Sequence, residues 1–394
     1  MKTKSLLFAA LLASVAAYAQ PSVTTAGAKY VVIEEGTGAW CGYCPEGDYI
    51  LEGILASTPR TIAISIHDNI NTIRGDLNSY DMMEATDGTG YDFTHTTGYC
   101  NGYPQAAIDR VPAFGKVGQT EVSWAYYTNL EVTNSPKFDV TLLHAYNAST
   151  NTLTVWVYAK TLIPITGKYN INAVITEDSI ASVGPGYEQH SSLFRNSSSH
   201  FYHVGTPNSD TSSAILGPAD YVHLHVLRSY LGGAFGDDSV IADNAPAYQT
   251  YSKKYTYTIP ATYKKKNLHI VGMVQKYNAT DVNDRAVDNG IQAQFDSTAV
   301  QLSLDEVAGE LESVAIFPNP ATTNCLVFAR TTTNENIQIS ITNIIGQTVL
   351  QYSAKAANRL ISENINIEAL PNGIYLVDVS GGNTSVKKKL VVNK

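Results

Sequence analysis

The stretch Gly38-Ala39-Trp40-Cys41-Gly42-Tyr43-Cys44-Pro45 sets two thiols two residues apart, after a tryptophan and before a proline. Such a pair can supply half of a zinc site, close a small structural disulfide, or exchange electrons. A zinc site needs four ligands, usually from a second Cys-x-x-Cys or from closely spaced histidines. The chain has four cysteines, and the other two, Cys100 and Cys325, form no second pair. A redox pair and a closed structural disulfide remain. Pro45 suits the start of a helix, where its missing N–H costs nothing. The segment that follows places Ile50, Leu51, Ile54 and Leu55 on one helical face. At such a helix start, unpaired backbone N–H groups and the helix dipole stabilise a Cys41 thiolate, making Cys41 the nucleophile. Cys44, one turn in, is then the resolving thiol. Glu35, desolvated beneath the pair, would hold its proton and serve Cys44 as a general acid or base.

Other residues carry weaker signals. Cys100, four residues before Pro104, reads either as a third redox thiol or as a small buried apolar residue. His223 and His225 sit two apart on an expected strand and so face one side. With His200 and His203 they read either as metal ligands or as a polar sheet face under a Ser-rich segment. The stretches GDDSVIADN and DVNDRAVDN lack the ligand pattern of a calcium loop and read as solvated turns. There is no Gly-rich phosphate loop and no Ser-His-Asp arrangement. No metal and no cofactor is expected.

The elements that position the cysteines run in a telling order. A strand at 30–35 leads into the motif, its helix, a buried strand Thr61–His67 and a polar excursion over 69–100. Tyr103-Pro104 then precedes a short strand and turn at 105–109 and a helix from Thr120. This order resembles that of thioredoxin, and Trp40-Cys41-Gly42-Tyr43-Cys44 resembles its Trp-Cys-Gly-Pro-Cys core, with Tyr43 in place of the proline. Glu35 falls where thioredoxin keeps a buried acid. Tyr103-Pro104 resembles the X-cis-Pro step that faces the disulfide. The resemblance implies a thioredoxin-like α/β domain over residues 20–133 with Cys41, Cys44, Glu35 and Pro104 as its catalytic set.

The next stretch reads as all-β. KFDVTLLHAY, TLTVWVYAK, YNINAVITED, YVHLHVLRSYL, KKYTYTI, LHIVGMVQKY and IQAQFDSTAVQL are strand-like runs separated by turns. They predict an immunoglobulin-like β-sandwich over 134–304, interrupted by a Ser-rich insertion at about 182–220. Gly36-Thr37-Gly38-Ala39-Trp40-Cys41 together with His223-Leu224-His225-Val226-Leu227-Arg228 resembles the outer-membrane-protein-28-related family of Bacteroidota. That resemblance covers nearly the whole body and implies a surface receptor or adhesin.

The two ends read as address labels. Lys2 and Lys4, the apolar run Leu6–Ala17 and Ala17-Tyr18-Ala19 predict a signal peptide over 1–19, too short to span a bilayer. No later apolar run is long enough, so no transmembrane helix is expected in the mature chain. After a linker at 305–313, short alternating strands and Asn-Pro, Ile-Gly and Asn-Gly turns predict a small β-sandwich over 314–394. Its words Phe317-Pro318-Asn319-Pro320, Asn343-Ile344-Ile345-Gly346-Gln347, Leu370-Pro371-Asn372-Gly373-Ile374-Tyr375 and Lys387-Lys388-Lys389-Leu390-Val391-Val392 resemble the type A sorting domain of the Bacteroidota type IX secretion system. The resemblance implies passage through the periplasm and outer membrane, removal of the tail, and release or attachment at the cell surface.

Composition fits an exported globular chain. Hydrophobic residues make up 44% and charged ones 15%, enough for sizeable cores. A net charge of −9 argues against nucleic acid as a partner. The expected partners are the type IX secretion machinery and either a protein thiol–disulfide partner or a surface ligand. Two functions stand open: thiol–disulfide exchange at the envelope, or surface binding by a protein whose disulfide is structural. Burial of Cys41 under the insertion would separate them.

Overall fold

The computed structural model describes residues 22–25, 27–68, 81–83, 85, 99, 101–208, 213–299, 311–331, 336–356, 360–381 and 384–394. The expected signal peptide, Cys100 and most of the expected linker lie outside them.

The first part of the chain contains β1 (Ser22–Thr24), β2 (Val31–Thr37), α1 (Cys44–Ser57), β3 (Thr61–His67), β4 (Gln105–Ile108), β5 (Gly118–Gln119) and α2 (Glu121–Glu131). β2 pairs in parallel with β3 and antiparallel with β4, and β4 pairs with β5. Leu51 and Ile54 of α1 and Trp124 of α2 bury against Val31, Ile33 and Ala63, with Ile50 and Leu55 packed alongside. β2 is buried at every position, so it shows none of the alternation of a half-exposed strand.

The middle of the chain adds β6 (Phe138–Asn147), β7 (Thr152–Thr161) and β8 (Tyr169–Glu177). The short strands β9 (Ile180–Ala181), β10 (Gln189–Ser191), β11 (Thr206–Pro207), β12 (Ala214–Leu216) and β13 (Val222–His223) follow. β14 (Val226–Tyr230), β15 (Thr250–Thr258), β16 (Leu268–Lys276) and β17 (Val287–Gln294) complete the body. β1, β6, β7 and β15 form one four-stranded sheet. Its inner face, with Leu142, Val155 and Val157, meets Ile171, Ala173, Ile270 and Ile291 from β8, β16 and β17 in one apolar core. The last residues of the body lie against the same sheet, where the Tyr146 amide donates to the Ala299 carbonyl at 2.6 Å.

The two parts are not separate layers. β17-β16-β8-β14-β3-β2-β4-β5 form one eight-stranded sheet, which crosses the division expected at residue 133. The join is narrow: Val226 of β14 pairs with Ser65 of β3, and the Ser65 amide donates to the His225 carbonyl at 2.8 Å. A buried cluster braces it from β2, where Glu34 binds Arg110 through two N–H groups at 2.5 and 2.6 Å and accepts the Tyr230 hydroxyl at 2.7 Å. β1, from the first part, pairs instead with β6.

The expected strand YVHLHVLRSYL is broken in two. His225 adopts a φ of 54°, the left-handed region, and this separates β13 from β14. His223 and His225 consequently do not share a strand face. His223 packs edge-on against His67 and Tyr221, whereas His225 bonds Glu52 at 2.8 Å.

The tail forms its own unit from β18 (Leu311–Phe317), β19 (Asn324–Thr331), β20 (Asn336–Asn343), β21 (Thr348–Lys355), β22 (Leu360–Asn366), β23 (Gly373–Gly381) and β24 (Thr384–Val392). Sheets β18-β19-β22 and β21-β20-β23-β24 enclose a core that includes Val327, Ile339, Ile341, Val377 and Leu390. Its first strand begins at Leu311, within the segment expected to be a linker. No helix among the described residues is long and apolar enough to cross a membrane.

Candidate functional site

Cys41 and Cys44 are joined in a disulfide at the start of α1, with a Cα–Cα distance of 5.5 Å. The turn before the helix is held by the Cys41 amide, which donates to the Gly38 carbonyl at 2.9 Å. Three side chains from neighbouring segments fix it further. Trp40 donates its indole N–H to the Asp68 carbonyl at 2.7 Å and packs edge-to-face on Tyr103, centroids 5.0 Å apart. Tyr103 donates its hydroxyl to the Asp68 carboxylate. Asp81 accepts the Ala39 amide at 2.7 Å and stands 2.8 Å from His67 Nδ1. Burial works against its charge, but His67 and the amides of Ala39 and Met83 hold the Asp81 carboxyl below the usual range.

Pro104 follows a cis peptide bond, the geometry expected of it. It reaches α1 at Gly47, where an added Cβ would stand 2.8 Å from the proline ring and 2.9 Å from Glu35 Oε1. Only glycine allows that approach. Glu35 is buried completely on β2, and its carboxyl pKa is raised well above the usual range, by burial first and then by the neighbouring Asp48. The four expected residues Cys41, Cys44, Glu35 and Pro104 therefore gather around the first turn of α1.

The cysteines are covered. Cys41 is 4% exposed and Cys44 0%, while Tyr43 between them is 60% exposed. The cover is the segment around β10. His190 donates its amide to the Ala39 carbonyl at 2.7 Å, and Ser192 donates its amide to the Gly42 carbonyl at 2.8 Å. Gln189 donates a side-chain N–H to the Cys41 carbonyl at 2.8 Å. A Cβ on Gly42 would meet Ser192 Oγ at 2.1 Å, so the segment lies directly on the motif backbone. β10 pairs with β12, and β12 with β11, so this piece of the insertion is a small sheet of its own.

The rest of the insertion grips α1. Glu46 accepts the Ser199 hydroxyl at 2.5 Å and stands 2.9 Å from His200 Nδ1, and the His200 ring stacks on Tyr49 at 3.5 Å. Burial opposes its charge, but Ser199 and His200 hold the Glu46 carboxyl below the ordinary range. Tyr221 donates its hydroxyl to Asp48. Burial pushes the Asp48 carboxyl up to about 6.

Asp48 is the residue that sequence reasoning passed over. Its signal was present: it lies four residues after Cys44, one turn along the same helical face. Of the histidines, His200 and His203 do not join His223 and His225. Among the described residues no three His, Cys, Asp or Glu side chains gather as a metal ion requires. His223 is buried, and its pKa falls to about 4 through loss of solvent and the nearby His67.

The family matches bear on the tail and the middle of the chain. Residues 315–393 match the secretion system C-terminal sorting domain, and residues 94–292 match outer membrane protein Omp28. The second match begins after the cysteine motif, so it does not speak to the disulfide. No curated protein matches the chain. Among solved structures, HBP35 of Porphyromonas gingivalis is similar at 15% identity and a TM-score of 0.47, over 93% of this chain and 99% of that one. A biofilm associated protein, BSP domain, is similar at 12% identity and a TM-score of 0.19, over 63% of this chain and 50% of that one. The tail directs the protein to the type IX secretion machinery, and the protein is secreted or held at the outer surface. With half of its length matched by that family's model, the chain belongs to the outer membrane protein Omp28 family.

Proposed function

We propose that the protein is a surface thiol–disulfide exchange protein whose exchange site is kept shut by its own insertion. In this reading the half built from β2, α1, β3, β4, β5 and α2 is a thioredoxin-like domain. The sheets β1-β6-β7-β15 and β8-β16-β17 are an immunoglobulin-like sandwich fused to it, and the residues after about 310 are the removable sorting domain. The observation that carries the reading is Glu35. A closed structural disulfide has no use for a carboxyl buried beside its helix, where desolvation is costly. An exchange site does, because a proton must reach the leaving thiolate of Cys44.

A second reading keeps the disulfide closed for good in a surface binding protein. The 4% exposure of Cys41 favours it, since attack on a disulfide requires access. Trapping separates the two. Cys44→Ser in a chain whose cover has been loosened at Ser192 should accumulate mixed disulfides through Cys41, and Cys41→Ser should accumulate almost none. Equal and negligible trapping by both variants with the cover loosened would end the exchange reading and leave the binding protein.

A further inference from the structure

Asp48 and Cys44 occupy one face of α1, four residues apart, and Glu35 reaches the same turn from β2. Neither Glu35 carboxyl oxygen has a hydrogen-bond donor among the described residues. What they face is the Asp48 carboxyl, which offers no donor either unless it carries a proton. Two ionised carboxylates enclosed side by side repel, and a single proton held between them removes the conflict. Asp48 as a residue keeps some exposed surface, but its carboxyl is enclosed by Glu35 and by Tyr221, which donates its hydroxyl to it. Of the three groups, only Tyr221 comes from the insertion side of the site.

Resting on the exchange reading above, we propose that Glu35 and Asp48 hold one proton in common and deliver it to Cys44 when the disulfide is reduced, Asp48 being the member that reloads from solvent once Tyr221 lifts. The reductant is a dithiol. One of its thiolates attacks Cys41 Sγ, a bond forms between the two sulfurs, and the Cys41–Cys44 bond breaks. The electron pair of that bond passes to Cys44 Sγ, which takes the shared proton and becomes a thiol. The second thiol of the reductant gives up its proton to solvent and attacks its own sulfur in the mixed disulfide. Cys41 leaves as a thiolate, and the reductant is released as a disulfide. Solvent returns a proton to the emptied carboxyl pair.

Other charges also face this pair. His67 from β3, His225 just before β14 and Glu52 on α1 bear on Asp48, while Glu52 and Glu121 of α2 bear on Glu35. The test therefore follows the pair itself rather than overall pH dependence. In the oxidised full chain with labelled glutamate carboxyls, Asp48→Asn should move the Glu35 titration down by about one pH unit or more, as a like-charged neighbour is lost and an amide N–H donor stands in its place. With dithiothreitol as reductant, the same variant should reduce at least about tenfold more slowly below pH 7, with its pH profile changed in shape. Tyr221→Phe should accelerate reduction and, by taking a donor from Asp48, shift upward the pH at which the carboxyl pair loses its proton. Asp48→Ser replaces the asparagine variant if the latter does not fold. An unmoved Glu35 titration, or a rate lowered by one factor at every pH, overturns the proposal. Loss of mixed-disulfide trapping with an intact titration shift would instead strike the exchange reading and leave the shared proton standing.

Discussion

Replacing Gly42 with alanine should open the site. The new Cβ would lie 2.1 Å from Ser192 Oγ, 2.9 Å from Ser192 Cβ and 3.0 Å from its amide nitrogen. Rotating the hydroxyl relieves only the first of these, so the covering segment must move. It then loses the Ser192 amide bond to the Gly42 carbonyl and strains the Gln189 bond to Cys41, 2.8 Å each. Hydrogen bonds of this kind, each to a backbone carbonyl, contribute about 0.5–1.5 kcal/mol. Losing the first and, as the segment lifts, the second shifts the balance between covered and uncovered forms by about 1–3 kcal/mol. Where reduction passes through a local opening, its rate follows the open population, so it should rise by about 5- to 150-fold. The assay is the rate at which dithiothreitol reduces the Cys41–Cys44 disulfide, read by alkylation and intact mass, in denaturant too dilute to unfold the chain. Adding Ser192→Gly removes the side-chain atoms that clash and should bring the rate back toward that of the unaltered protein. A Gly42→Ala rate within twofold of the unaltered rate would refute the idea that the insertion limits access.

Two further outcomes are expected. Ala299 is tied to β6 and Leu311 is paired with Thr331 in the tail, so cleavage during secretion should leave a mature chain ending between these two residues, as intact mass on surface-located protein will show. Lys29 stands 2.7 Å from Asp109 in the interior, and Lys29→Met would leave that carboxylate alone at a cost of about 3–5 kcal/mol. Burial already lifts the Asp109 carboxyl to about 6, above its unfolded value, so its contribution to stability is lost as pH rises through about 6. The Lys29→Met deficit should therefore be small near pH 4 and full by pH 8 in denaturant titrations. A deficit that does not change with pH would show that Asp109 stays ionised throughout.

Local order was legible in the sequence, and long-range pairing was not. The helix after the cysteines could be placed from Leu51 and Ile54, and the tail strands from their alternation, because one face of each meets a core and the other meets solvent. β24 still shows this, with Lys387 and Lys389 among its outward positions and Leu390 buried. β2 and β8 carry no such alternation, since both their faces are covered, so nothing in them announces which strand lies beside which. The join of β14 to β3 rests on one residue pair, 161 positions apart in sequence from Ser65 to Val226, and no local pattern encodes it. The cover escaped for another reason. Apart from the Gln189 side chain, it binds the motif through main-chain amides and carbonyls, which every residue possesses, and the motif's own signal was the smallness of Gly42.

The sheet containing β6 bears on how copies of the protein are kept from pairing with one another outside the cell. One border of β6 is closed by Ser22–Thr24 near the beginning of the described chain and, three residues on, by the Ala299 carbonyl at the end of the body. Unpaired strand borders recruit strands from other molecules. Both seals on this border lie close to the expected end of the signal peptide and to the tail cleavage predicted above. Trimming that removed either one would leave a strand rich in Val, Leu and Thr open to a second copy, so processing at the expected points would have to spare both seals to keep that border closed.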